Sequence, residues 1–384
     1  MDSDDDYGKK PYIIIDNGSY MIKSGFSNDD SPGYCFRNCI GYPKNKDIYY
    51  KDYYIGNQLK GQMCAFRLDY PIKDGAIQNW DSMEKIWGYL FKDQLNADPS
   101  EYGIILTQPL MNSKDEKERM AQTMFETFDI PSLYLAYSID LSAYGSLKGS
   151  GLFIDLGADS TQISAILDYA PIPYKFERLY YGGNAITDYL FDLFHRNSKM
   201  FYNDKNKSSV EDIKEKACYV ALDFDYEKES VEPFTYTLPD NKDITVMDER
   251  IKATEAIFYP SLINKDNDLG LHQICNKIIE SCGDNKKELY NCINISGGNS
   301  LFEGLRERLE KEIKNTAKYD DQEEVRVNKS ENGKFSVWMG GKILSEVSTF
   351  ENLLITKEMY EESGCSIIYK NDNYMLKWVI AFYY

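Results

Sequence analysis

Two aspartates end apolar runs and are each followed, two residues on, by a glycine: Asp16-Asn17-Gly18-Ser19 and Asp155-Leu156-Gly157-Ala158. A glycine in a tight turn lets backbone N–H groups approach a phosphate closely. An aspartate at the strand end can orient the water shell of Mg²⁺, which keeps several of its waters when bound. Lys23 follows Gly18 by a turn's length and can reach a phosphate as a point charge. A third feature, Ile295-Ser296-Gly297-Gly298-Asn299, places two glycines after an apolar run, where a nucleoside can pack on bare backbone. Each is weak alone, because Asp-x-Gly also marks ordinary hairpins. Together, in this order, they point to phosphate chemistry supplied from two halves of one chain.

Elements able to position these residues are legible around them. The runs Tyr12–Ile15, Gly103–Leu106, Leu152–Ile154 and Cys292–Ile295 read as buried strands. A helix is expected after Asp81, with Asp81 as its cap, Glu84 at the capping-box position, and Met83, Ile86, Trp87, Leu90 and Phe91 as its apolar stripe. Further stripes run through Leu305, Leu309 and Ile313, and through Ile213, Ala217, Val220 and Ala221. These read as core. Alternating strand and helix patterns indicate an α/β fold. The likeness of Ile14–Ser19 to Phe153–Ala158 suggests two related lobes, each offering one strand-turn to a shared cleft. Asn203–Ser209, Asn264–Asp268 and Lys318–Glu324 are expected to be solvated loops.

At 384 residues the chain exceeds a usual single core. Its 44 basic and 62 acidic residues give a net charge of -18, which disfavours nonspecific contact with nucleic acid or anionic membrane and suits basic protein surfaces. The eight cysteines lack metal-like spacing and there are two histidines, so reduced, structural thiols are expected. The start, Met1–Asp6, is acidic where a signal peptide is basic then apolar.

From end to end the chain resembles actin. The carrying segments include Ile15-Asp16-Asn17-Gly18-Ser19, Lys23-Ser24-Gly25-Phe26, Asn79-Trp80-Asp81-Ser82-Met83-Glu84-Lys85-Ile86-Trp87, Asp212-Ile213-Lys214-Glu215-Lys216, Ser296-Gly297-Gly298 and Phe335-Ser336-Val337-Trp338-Met339-Gly340-Gly341. The resemblance implies an actin-like ATPase fold of duplicated ribonuclease-H-like lobes around a nucleotide cleft, in four subdomains. These would be 1–37 with 71–145 and 336–384; 38–70; 146–181 with 270–335; and 182–269. It implies ATP or ADP with Mg²⁺. Asp16 and Asp155 would organise the metal's waters, and Gly18, Ser19, Lys23 and Gly157 would face phosphates. Gly183, Lys214, Glu215, Gly297, Gly298, Phe302 and Lys334 would surround the nucleoside.

Several departures from the family fall where hydrolysis occurs. Actins place a water-positioning glutamine where this chain has Ser138, and a supporting histidine where it has Gln162. Loss of such groups commonly lowers rate by about 10²–10⁴. Asp159 replaces a glycine that approaches the terminal phosphate, Tyr20 a glycine of the first turn, and Glu211 an arginine near the base. Between Gly41 and Gly56 the DNase-binding loop is shorter and rich in Tyr and Lys, and the filament's apolar plug is matched by charged Leu262–Asp268. An apolar tail, Tyr374–Tyr384, is too short to span a bilayer. The expected function is an actin-related protein that binds adenine nucleotide, hydrolyses it slowly or not at all, and works in a cytoskeletal assembly. Its partners would be proteins: actin, actin-related subunits or actin-binding proteins. The alternatives are a filament-forming slow ATPase and a nuclear remodeller subunit, so the expected location is cytoplasm and cytoskeleton with the nucleus as alternative.

Overall fold

A computed structural model of the chain describes residues 10–197, 207–238, 241–266 and 268–370. The acidic start, residues 203–206, Asn267 and the apolar tail lie outside the described residues. The chain divides into two compact units, residues 1–149, 168–173 and 335–384, and residues 150–167 and 174–334.

In the first unit, β1 (Ile13–Asn17), β2 (Met21–Phe26), β3 (Tyr34–Arg37), β4 (Ile104–Gln108) and β5 (Ser132–Tyr137) form a sheet with the short strand Ile355–Thr356. Its order is Ile355–Thr356, β5, β4, β1, β2, β3. β1, β4 and β5 run parallel, whereas β1 and β2 form an antiparallel hairpin. Successive side chains on a strand alternate between faces. Ile13 and Ile15 accordingly join one core cluster, with Met83, Ile86 and Trp87, while Ile14 joins another, with Tyr134 and Trp338. A sheet covered on both faces explains why the run is apolar at every position.

Helix α1 (Trp80–Tyr89) carries the expected stripe, and Met83, Ile86 and Trp87 are fully buried. Its cap differs from expectation. Asn79, not Asp81, accepts from the Ser82 N–H at 3.1 Å, and Asp81 is an exposed first-turn residue paired with Lys85. Asn79 also donates to Asp69 at 2.7 Å, which fixes its side chain in the capping pose. Helix α2 (Ser138–Gly145) packs on the helix Ser336–Ser345 with backbone almost touching backbone. A Cβ on Gly340 would lie 1.7 Å from the Leu141 carbonyl oxygen, so only glycine fits there.

In the second unit, β6 (Gly151–Leu156), β7 (Thr161–Leu167), β8 (Ala170–Leu179, whose residues 170–173 are counted with the first unit), β9 (Ile293–Ser296) and β10 (Val327–Lys329) form a sheet in the order β8, β7, β6, β9, β10. β6 and β7 are an antiparallel hairpin, and β9 and β10 run parallel to β6. This repeats the arrangement of β3, β2, β1, β4 and β5. The faint repeat in the sequence is thus a duplication of topology.

Helices α3 (Gly183–Arg196), α4 (Lys207–Ala217), α5 (Glu249–Glu255), α6 (Leu271–Glu280) and α7 (Leu305–Thr316) complete this unit's larger elements. Leu305, Leu309 and Ile313 are fully buried on α7, as expected. The stripe from Ile213 is shorter than expected. α4 stops at Ala217, and Val220 and Ala221 are buried in the segment beyond it. Two expected loops contribute described residues to helical elements. Lys207–Ser209 open α4, and Tyr319–Glu324 form a tight helical turn whose Asp321 is buried against Lys286 at 2.6 Å. That ion pair holds a segment whose composition alone reads as solvated.

Candidate functional site

The site residues of the first unit gather at the carboxyl ends of its parallel strands, where open α/β sheets bind ligands. Register places Asp16 opposite Lys23, and directly opposed antiparallel residues share a face. Their side chains meet at 2.6 Å, with the aspartate 7% and the lysine 17% exposed. Gly18 turns so tightly that a Cβ would lie 2.6 Å from the Met21 carbonyl oxygen. Asn38 donates to the Gly18 carbonyl at 3.0 Å, and the Asn17 N–H donates to Thr107 on β4 at 2.8 Å. The turn is therefore held from both flanks. The Tyr20 ring lies under the Arg37 guanidinium at 4.7 Å. Ser138 opens α2 directly after β5 and is buried.

In the second unit Asp155 lies opposite Gln162, the register that Asp16 and Lys23 have in the first. Gln162 is thus the topological counterpart of Lys23, and it carries a neutral amide. Gly157 again admits no Cβ, which would lie 2.8 Å from the Ser160 carbonyl oxygen. Gly297 follows β9 with φ +85°, and a Cβ there would lie 2.6 Å from the Asp155 carboxylate. The aspartate and the Gly297-Gly298 turn are therefore adjacent, as the motifs require. Gly298 faces open space.

The remaining nucleoside candidates occupy the same unit. Gly183 begins α3, and its carbonyl accepts from the buried Lys214 ammonium at 2.9 Å. Burial lowers the Lys214 pKa from lysine's ordinary value. Glu215 and Lys334 are exposed, and Phe302 is half-buried at the end of the Gly298–Leu301 turn. Glu211 is buried on α4.

Sequence reasoning missed the asparagines that hold the second turn. Asn299 donates to the Gly157 carbonyl at 2.7 Å, and Asn184 donates to the Asp159 carboxylate at 2.5 Å. Asparagine has neither the periodicity of a core residue nor the conformational signature of glycine, so nothing local marked them.

The residues fit a magnesium nucleotide in kind. Each unit offers a carboxylate beside a turn that excludes side chains, and one adds an ammonium. When bound, Mg²⁺ would neutralise phosphate charge. Among the described residues no cluster of three or more His, Cys, Asp or Glu side chains is placed to hold a metal ion directly. No helix among them is long and apolar enough to cross a membrane. The family model for actin matches residues 8–372, nearly the whole chain, and on that match, with its duplicated α/β topology, the chain belongs to the actin family.

Proposed function

We propose that this actin-family protein binds ATP or ADP with Mg²⁺ as a structural ligand, hydrolyses it slowly or not at all, and serves as a cytoskeletal, cytoplasmic assembly subunit. The observation that carries the reading is the matched pair of Asp-x-Gly hairpins, with Lys23 held at 2.6 Å from Asp16. Asp16 and Asp155 orient the metal's waters; Gly18, Ser19, Lys23 and Gly157 meet phosphate; Gly183, Lys214, Glu215, Gly297, Gly298, Phe302 and Lys334 surround the nucleoside. Slow hydrolysis follows from Ser138 and Gln162. A serine hydroxyl is too short to hold a water where a glutamine would, and an uncharged amide is a poor proton acceptor. The segment at the plug position favours a subunit over a self-assembling filament, because Asp266 and Asp268 are exposed and would need partners if buried at an interface. Proteins rather than nucleic acid are the expected partners, given the charge of -18.

Lys23→Met is expected to weaken ATP binding by about tenfold or more, the worth of one hydrogen bond to a charged group. Titration of the purified protein with a fluorescent ATP analogue checks this, and an unchanged affinity would remove Lys23 from the site. Sedimentation after addition of Mg²⁺, ATP and salt tests the assembly reading. Little pelleting and little phosphate release are expected; abundant filaments with phosphate release would establish a divergent polymerising actin instead.

A further inference from the structure

The turn after Asp155 is clamped from one side. The N–H of Gly183 donates to the Gly157 carbonyl at 3.1 Å, and that of Asn184 to the Ala158 carbonyl at 2.8 Å. The Asn299 side chain adds a second bond to the Gly157 carbonyl at 2.7 Å and reaches the Leu156 carbonyl at 3.4 Å. Gly182 permits this approach, since a Cβ there would lie 2.4 Å from the Gly157 carbonyl oxygen. In a trans peptide the C=O and the following N–H point in opposite directions. Drawing the Gly157 and Ala158 carbonyls toward α3 therefore turns the N–H groups of Ala158 and Asp159 to the opposite face. The Asn184 side chain completes the clamp by donating to the Asp159 carboxylate at 2.5 Å.

We propose that Asn184 and Asn299 are positioning residues for the terminal phosphate of ATP. Asn299 fixes the turn so that two amides present to the phosphate, and Asn184 draws the Asp159 carboxylate to the α3 side, where it does not oppose the phosphate charge. The idea rests on the nucleotide reading above. It resolves the apparent conflict of a carboxylate in a phosphate turn: the acid is tolerated because an amide holds it.

The test compares ATP with ADP, since only ATP carries the terminal phosphate. Asn184→Ala removes the amide's hold on Asp159 and is expected to weaken ATP by about tenfold and ADP by less than about threefold, a discrimination that shrinks as KCl is raised because the repulsion is screened. A merely structural loss would weaken both nucleotides alike and would not respond to salt. Asp159→Asn in the presence of Asn184 is expected to leave ATP affinity within about twofold of wild type, and the same change added to Asn184→Ala to restore ATP binding. Tighter ATP binding by Asp159→Asn alone would overturn the proposal, and so would an unchanged ATP-to-ADP ratio in Asn184→Ala. If the wild type binds neither nucleotide, the nucleotide reading itself fails, an outcome distinct from both. The single Asp159→Asn variant preserves the test should Asn184→Ala not fold.

Discussion

Asp140→Asn is expected to stabilise the protein by about 3 kcal/mol at pH 8, with the gain fading below about pH 5. Asp140 lies on α2, 7% exposed, and neither carboxylate oxygen has a hydrogen-bond partner. Burial alone pushes its pKa up to about 7 from the ordinary 3.8. The unfolded chain releases this proton near pH 4, whereas the native state keeps it to about pH 7. Between these values the native state binds more protons, so stability falls as pH rises and the full penalty applies above pH 7. The distance between the two pKa values corresponds to about 4 kcal/mol, of which the poorly satisfied amide of asparagine takes back about 1 kcal/mol. Denaturant unfolding of both proteins at pH 5 and pH 8 measures the gain. An equal gain at both pH values would show that the pKa of Asp140 is not raised in the native state.

The second large effect opposes the first in sign. Arg308→Ala is expected to destabilise the second unit by about 3–5 kcal/mol, because it strands a buried carboxylate. Arg308, 4% exposed on α7, donates to both oxygens of Glu255, at 2.9 Å and 3.3 Å. It also donates to Glu312 at 2.6 Å and to the Ala221 carbonyl at 2.8 Å, and lies over the Phe258 ring at 4.8 Å. One side chain thereby ties α7 to α5 and to the irregular segment after α4. Removing both charges, as Arg308→Met with Glu255→Leu, is expected to recover most of the loss, because a buried ion pair and an apolar pair of similar volume are often comparable in stability. Thermal unfolding of the single and double variants decides this. A single variant as stable as wild type would show the network to be dispensable.

These two groups also mark where sequence reading ended. Isoleucine runs and Asp-x-Gly turns announce strands and tight backbone, because each meets a steric requirement readable from residue type. The hairpins and the α1 stripe were therefore legible. Asp140 and Arg308 were not: charged residues are expected outside, and only tertiary packing reveals one unpartnered and the other fully partnered. The helix cap moved from Asp81 to Asn79 because Asp69, ten residues earlier, orients the asparagine. Asp159 shows the same limit at the site. Its residue type alone says only that a charge stands where the family has a glycine, while Asn184, 25 positions on, holds the carboxylate.

Bound nucleotide is the central claim, and the most direct measurement is of what the protein carries. Purified, desalted protein denatured in acid should release close to one adenine nucleotide per chain on anion-exchange chromatography, and Asp16→Ala/Asp155→Ala protein far less. Wild-type protein that releases none, and takes up none when incubated with ATP and Mg²⁺, would contradict the account.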